Sequence, residues 1–401
     1  FQDGTTIGWL IAESFIVTHA RRSVIPERLA DSVLSDFSSK DSPIDDENYF
    51  VYTHFTDAEI TDREVSELPK MWAVGGDGGI GDIGFQNLSK TMLQNRPNYQ
   101  VLMLDTQVYS NTGGQNSDSS VMPGGFDMNQ FGVASAGKLT EKKEVAQIVS
   151  MGHGSPFVAQ VSMANSANLY QAILSGLAYR GAAFFQCFTS CQPEHGVGDS
   201  ESTVQAQRVR DGRGVVEFVY DPSKGEDQAE VFSLKGNPRL KNDWHVVTNK
   251  TTKEKFNYTT AHWAATEARF RRHFKKAPND YKDSAVPLDH LLTCVTQQDI
   301  VHRRVFDPDH LSYVPDFGVY AVIQQDDGSM KPSLLSRQLV LFCVERRKNW
   351  RLMQSRAGVV NEDYQVQKRL LARCEMGELT RGDLLSRSAA ELDKGDEAAA
   401  G

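Results

Sequence analysis

Between residues 72 and 220 short apolar runs alternate with amphipathic segments, and the loops that follow two of those runs are crowded with glycine. The runs Trp72–Gly75, Val101–Asp105, Phe157–Val161, Ala183–Phe188 and Val215–Tyr220 have the length and continuous apolar character of buried strands. Helices are predicted between them at Phe85–Gln94, Lys142–Ser150 and Ala167–Tyr179. The first places Phe85, Leu88 and Met92 on one face and stops before Pro97. The last follows Asn165, a good N-cap, and ends towards Gly181, a good residue just past a helix. Alternation of this kind predicts an α/β domain with a mostly parallel sheet flanked by helices. Ligands of such sheets bind at the carboxyl ends of the strands. The loops Gly75–Gly79 and Asn111–Gln115 both fall there.

Outside this region the pattern weakens. Residues 7 to 22 read as a helix, and Asp36–Asn48 as a polar surface loop. From about residue 281 short strands (Gly318–Gln324 and Gln338–Glu345) mix with a charged helix at Gln365–Glu375, as in a C-terminal α+β extension. The tail from Ser386 to Gly401 is polar, rich in Ala, Glu and Asp, and predicts disorder. The expected organisation is a domain at 1–280, an extension at 281–385 and a tail at 386–401.

Composition narrows the function classes. A net charge of −9 disfavours nucleic acid as a partner, because phosphate contacts need a basic surface. The best apolar stretch, Ile7–Val17, is too short to cross a membrane and contains Glu13. No basic region precedes it, as a signal peptide would require, and the chain opens on Phe1 as a processed or partial polypeptide would. Five cysteines (Cys187, Cys191, Cys294, Cys343 and Cys374) form an odd set without a CxxC pair, which points to a reduced, cytoplasmic setting. They do not form a compact thiolate set able to hold an iron–sulfur cluster alone.

The chemistry concentrates in Gly75-Gly76-Asp77-Gly78-Gly79-Ile80-Gly81-Asp82-Ile83-Gly84 and, one strand later, Asp105-Thr106-Gln107-Val108-Tyr109-Ser110-Asn111-Thr112-Gly113-Gly114-Gln115. Mg²⁺ bound to a diphosphate takes six oxygens, few of them carboxylate. Asp77 offers a carboxylate at one strand end; Thr106 and the Val108 carbonyl offer two more oxygens at the next. The glycines beside Asp77 let the backbone approach phosphate, and a helix starting near Ile83 would turn its positive end to the anion. Either loop alone is an ordinary turn; the pair, one βα unit apart, carries the signal.

Residues 71 to 118 resemble the thiamine-diphosphate motif of pyruvate:ferredoxin oxidoreductases, in which a GDG…DIG segment precedes DT.VYSNTGGQ.S. The likeness extends to Val161-Ser162-Met163, Phe188-Thr189-Ser190-Cys191, Tyr220-Asp221-Pro222 and Phe232-Ser233-Leu234, and forwards to Phe1–Asp31, covering roughly residues 1 to 280. The resemblance implies a thiamine-diphosphate-binding fold in which Asp77, Thr106 and the Val108 carbonyl hold Mg²⁺. It implies that Gly76, Gly78 and Asp105 line the cofactor, that Asn111 lies beside the reacting centre, and that Cys191 ligates a [4Fe-4S] cluster. The other cluster ligands and the glutamate that activates the cofactor would come from segments outside this chain.

The implied reaction is oxidative decarboxylation of a 2-oxoacid, pyruvate first, to acyl-CoA and CO₂, or its reverse. Coenzyme A, ferredoxin or flavodoxin, and the remaining domains or subunits of a homodimeric enzyme are the implied partners. Alternatives are another 2-oxoacid such as 2-oxoglutarate, or a non-oxidative thiamine-dependent decarboxylase or synthase. The latter would carry Asn-Asn where this chain has Asp105-Thr106. A scaffold that merely retains the fold would have lost Asp77 or Thr106.

Two departures stand out. Gly79 replaces a common aromatic. After the second motif, Asp118-Ser119-Ser120-Val121 replaces Lys-Ala-Thr-Pro, with a Gly125–Met128 insertion, so a positive charge is missing there. Cys187 reads as a small hydrophobe inside a strand. His153 and His195 read as inert loop histidines. The run Arg269–Lys276 reads as the solvated end of a helix, with a basic edge only weakly suited to steering an acidic ferredoxin.

Overall fold

The computed structural model describes residues 70–124, 138, 140–249, 251–294, 314–325 and 327–359, with a few positions between 370 and 380. All belong to the unit Pro69–Gly401. The expectations for residues 1–48, for the Gly125–Met128 insertion, for most of Gln365–Glu375 and for the tail lie outside the described residues.

The principal sheet has six strands: β1 (Met71–Gly76), β2 (Tyr99–Asp105), β3 (Phe157–Ser162), β4 (Ala183–Phe188), β5 (Phe218–Tyr220) and β6 (Phe232–Ser233), in the order β1-β2-β4-β3-β5-β6. The first four run parallel, and β5 and β6 add an antiparallel edge. The predicted strand Val215–Tyr220 is therefore shorter and antiparallel. The register sets Gly76 opposite Leu104, and Phe188 opposite both Asp105 and Ser162. The residues following β1, β2 and β4 consequently emerge side by side on one edge.

Helices α1 (Phe85–Gln94) and α2 (Val145–Gly152) cover one face, packing Leu88, Met92, Val145 and Val149 on Val101, Met103, Val158 and Phe184. Helix α3 (Ser166–Ala178) covers the other, over Phe157, Ala159, Val161 and Phe185. Burial on both faces explains why the central strands β3 and β4 read as unbroken apolar runs, whereas β1 at the edge leaves Met71, Trp72 and Val74 exposed. Helix α1 has the predicted bounds. Helix α2 starts at Val145 rather than Lys142, because the Lys142 ammonium is drawn into the fold by Asp105. The Asn165 side chain accepts from the Asn168 N–H and caps α3 as expected; at its other end the chain leaves through an extended Tyr179, so Gly181 plays no part in the stop.

A second core joins α4 (Gln192–His195), α5 (Ser202–Asp211), α6 (Thr260–Ala264) and α7 (Leu288–Cys294) with two small sheets. Strands β7 (His245–Thr248) and β8 (Lys255–Tyr258) pair alone. Strands β9 (Phe274–Lys276), β10 (Val286–Pro287), β11 (Val319–Gln324) and β12 (Met330–Leu335) form the other, in the order β10-β11-β12-β9. Residues 338–345, predicted as a strand, are the first half of α8 (Arg337–Arg356). Ser336 caps it by accepting from the Leu339 N–H. Its run Leu339–Val344 is buried on all sides, so a helix here shows no amphipathic period. Farther along, Trp350 and Met353 join the core of the principal sheet, so residues beyond 280 pack into the same interior.

Candidate cation and diphosphate site

Asp77 follows β1 directly and opens a wide helical turn, Asp77–Ile83, closed by the Gly84 N–H on the Gly79 carbonyl. The winding thus begins at Asp77, six residues before the Ile83 start predicted. Thr106 follows β2. Its hydroxyl lies 3.0 Å from Asp77 Oδ1, 3.0 Å from the Val108 carbonyl oxygen and 3.0 Å from Ser110 Oγ. The Thr106 N–H also donates to Asp77 Oδ1, and Ser117 Oγ–H donates to Asp77 Oδ2 at 2.5 Å. Three of the residues singled out from sequence therefore converge on one point with a carboxylate, a hydroxyl and a carbonyl.

The electrostatics there favour a cation. Burial, and then the charge of Asp105, push the Asp77 carboxyl up to about 6, against Ser117, Lys142 and Thr106. A carboxylate in that state lacks positive charge, and a divalent ion would supply it. One carboxylate with neutral oxygens is also the donor set Mg²⁺ takes when phosphate supplies the rest. A Cβ built on Gly76 or Gly79 would meet nothing within 4 Å, so the backbone there is open to a ligand. Gly78 differs: its Cβ would lie 2.1 Å from the Tyr109 ring, so that glycine is needed for packing. The Tyr109 hydroxyl donates to Asp82 at 2.8 Å, and burial together with that bond raises it to about 12.

Asp105 is turned inward. It pairs with Lys142 at 2.9 Å, accepts from Gln186 Nε2 at 2.6 Å and from the Gln107 N–H, and so braces the loop from beneath. Asn111 lies exposed on the turn Ser110–Thr112, which ends at the left-handed Gly113. The positive charge missing at 118–120 is supplied from elsewhere. Lys138 donates to the carbonyls of Asp118 and Ser120, Lys142 to that of Ser119, and Lys143 pairs with the Asp118 carboxylate at 2.6 Å.

Cys191 caps α4 just past β4, and the Thr189 N–H donates to the Asp105 carbonyl, fixing this segment beside β2. The Cys191 thiol is half-buried and free. Cys187, on β4, is pushed up to about 11 by burial, in keeping with its reading as a small hydrophobe. Among the described residues no three His, Cys, Asp or Glu side chains gather as a metal site.

Two sequence readings are corrected here. His195 is fully buried; its Nε2 sits 2.8 Å from the Thr106 carbonyl oxygen, and burial, then Arg269, lower it to about 4. The imidazole is therefore neutral, and Nε2–H is the donor. The run from Arg269 is likewise not a solvated helix end. Arg269, Phe270 and His273 are buried in a 3₁₀ segment, Ala268–His273, leading into β9. Arg269 Nε donates to Glu267 Oε2 at 2.6 Å and its Nη2 to Gln107 Oε1 at 3.0 Å. Burial alone would raise Glu267, but the Arg269 guanidinium keeps it below the usual carboxylate range. Gln107 is buried with φ +61°, a left-handed backbone unusual for a residue with a Cβ. His153 is partly buried, its ring 3.0 Å from Ser89 Oγ. Nothing local in the sequence marks this network, whose members lie up to 162 residues apart.

The chain is 32% identical over 176 residues to a pyruvate:ferredoxin oxidoreductase of Moorella thermoacetica, covering 43% of this chain and 14% of that protein. It is 38% identical over 157 residues to a mitochondrial NADP(+) pyruvate dehydrogenase of Euglena gracilis, covering 39% and 8%. It is 31% identical over 219 residues to a pyruvate-flavodoxin oxidoreductase of Klebsiella pneumoniae, covering 50% and 18%. The chain thus spans less than a fifth of the length of each of these relatives. No family model matches the chain. Among the described residues no helix is long and apolar enough to cross a membrane.

Proposed function

We propose that this chain forms the thiamine-diphosphate and Mg²⁺ site of a 2-oxoacid:ferredoxin or flavodoxin oxidoreductase, with pyruvate as the substrate. The observation that carries the reading is the convergence of Asp77 Oδ1, Thr106 Oγ1 and the Val108 carbonyl at the ends of two neighbouring parallel strands. Ligand sites of parallel sheets form at this edge. Similarity to proteins named for pyruvate oxidation supports the choice of substrate.

In this reading the sheet has the thiamine-diphosphate-binding fold. Asp77, Thr106 and Val108 would hold the metal, and Gly76 and Gly79 leave the backbone open for a diphosphate beside it. When bound, thiamine diphosphate supplies a nucleophilic carbon and the electron sink for decarboxylation. Asp77, whose charge burial makes costly, would be neutralised by a bound divalent ion. Asp105 braces the loop from its buried side through Lys142 and Gln186. Asn111, exposed on the turn after the metal loop, meets the 2-oxoacid. The Cys191 thiolate would be one ligand of a [4Fe-4S] cluster suited to electron transfer, the remaining ligands coming from other segments of a complete homodimeric enzyme. Coenzyme A accepts the acyl group, and the reduced thiols suit a cytoplasmic location.

Calorimetry of the purified protein tests this. Thiamine diphosphate is expected to bind only with Mg²⁺, and Asp77→Asn to abolish that binding while the far-ultraviolet circular dichroism stays unchanged. Equal binding by the variant would refute the site.

A further inference from the structure

We propose that Arg269, held by Glu267, is a positioning residue for the cation site, acting through Gln107. The inference rests on the reading of Asp77, Thr106 and Val108 as that site.

The loop between Thr106 and Val108 must turn two oxygens, a side-chain hydroxyl and a backbone carbonyl, toward Asp77. It does so by placing Gln107 in the left-handed region, which a residue with a Cβ holds only where its surroundings over-determine it. Here they do. Arg269 Nη2 holds the Gln107 side chain, Ser120 Oγ–H donates to the Gln107 carbonyl at 2.6 Å, and the Gln107 N–H is bound by Asp105 Oδ1. His195 Nε2–H holds the preceding carbonyl, that of Thr106.

Arg269 is in turn fixed by Glu267, whose Oε1 accepts from Trp263 Nε1 at 2.9 Å and Gln205 Nε2 at 2.7 Å. Arg269, Glu267, His195 and Gln107 are each at most 2% exposed, so solvent does not compete with these bonds. The network engages the Thr106 carbonyl and the N–H, carbonyl and Oε1 of Gln107, while Thr106 Oγ1 and the Val108 carbonyl meet on the Asp77 side. Outer partners of this kind set the orientation of metal ligands, and removing one typically weakens metal binding on the order of tenfold to a hundredfold.

The test uses two variants on the loop, where folding is least at risk. Gln107→Met keeps bulk and the Cβ but loses the acceptor for Arg269. Gln107→Gly loses the acceptor and tolerates the left-handed backbone. The first readout needs no cofactor. Amide hydrogen exchange in the metal-free protein should show faster exchange at Thr106 and Tyr109 in both variants, with protection of α3 and β3 unchanged. The second is Mn²⁺ titration followed by paramagnetic resonance in the presence of thiamine diphosphate. Both variants should bind Mn²⁺ roughly tenfold or more weakly than the parent. Parental exchange rates and parental Mn²⁺ affinity in folded variants would overturn the positioning role and leave the site standing. A parent that takes up no Mn²⁺ would overturn the site and the positioning role together, and that outcome is visible before any variant is made.

Discussion

Replacing Asp77 by Asn should make the metal-free protein more stable while destroying the site. Burial and the neighbouring Asp105 raise the Asp77 carboxyl from an ordinary 3.8 to about 6. A folded-state value above the unfolded one means the fold prefers the protonated acid. The stability this group contributes is therefore full below the unfolded value and is lost as pH rises through about 6. Roughly two units at about 1.4 kcal/mol each give a cost of about 3 kcal/mol at pH 7.5. Asn keeps the shape, still accepts from Thr106 and can donate to Ser117, and it carries no charge. The variant should then melt roughly 4 °C above the parent at pH 7.5 without metal, and its advantage should shrink to under about 1 kcal/mol near pH 4. Saturating Mg²⁺ and thiamine diphosphate should close the gap, since ligand at about a hundred times its Kd adds about 2.7 kcal/mol to the parent alone. Scanning calorimetry across pH, with and without metal, reads all of this. A metal-free variant less stable than the parent at pH 7.5 would refute the argument that Asp77 is a carboxylate short of a cation.

Other outcomes follow from single contacts. Gly78→Ala sets a methyl 2.1 Å from the Tyr109 ring, so the ring must move; thermal melts should show a loss of about 1–3 kcal/mol, and the Asp82 hydrogen bond should break. Phe342→Ala empties a fully buried position on α8 and should cost about 3–5 kcal/mol by denaturant unfolding; a cost under about 1 kcal/mol would contradict burial of that helix on all sides. As a ligand of the proposed cluster, Cys191 should not tolerate replacement: Cys191→Ala in the complete enzyme should lower the iron content and slow electron transfer, because Ala offers no donor in place of a soft thiolate. Full iron with unimpaired electron transfer would make Cys191 structural.

The parallel sheet was legible because its central strands β3 and β4 are buried on both faces, which forces continuous apolar runs, and because helix α1 has a clear apolar face and a sharp stop. The convergence of Asp77, Thr106 and Val108 was legible because the two loops fall at the ends of neighbouring strands, where register brings them together. The helix α8 was misread for a related reason. A helix buried all round carries no period, and six apolar residues in a row look like a strand until the following charged turns are taken as its continuation. His195 and Arg269 were misread because their partners, Thr106 and Gln107, lie 89 and 162 residues away. Burial of a charged side chain by distant partners leaves no local pattern. The strained Gln107 was equally invisible, since nothing in its neighbours demands a positive φ.

In the proposed site one divalent ion, bound with thiamine diphosphate, takes its protein oxygens from Asp77, Thr106 and Val108. Crystals of the protein grown with thiamine diphosphate and Mn²⁺ in place of Mg²⁺ would locate the ion by its anomalous scattering. The expected position lies between the ends of β1 and β2, about 2.1 Å from Asp77, Thr106 Oγ1 and the Val108 carbonyl oxygen, on the scale of Mg²⁺–oxygen bonds. An ion bound elsewhere with the cofactor in place, or an Asp77 carboxylate that makes no metal bond, would contradict the account.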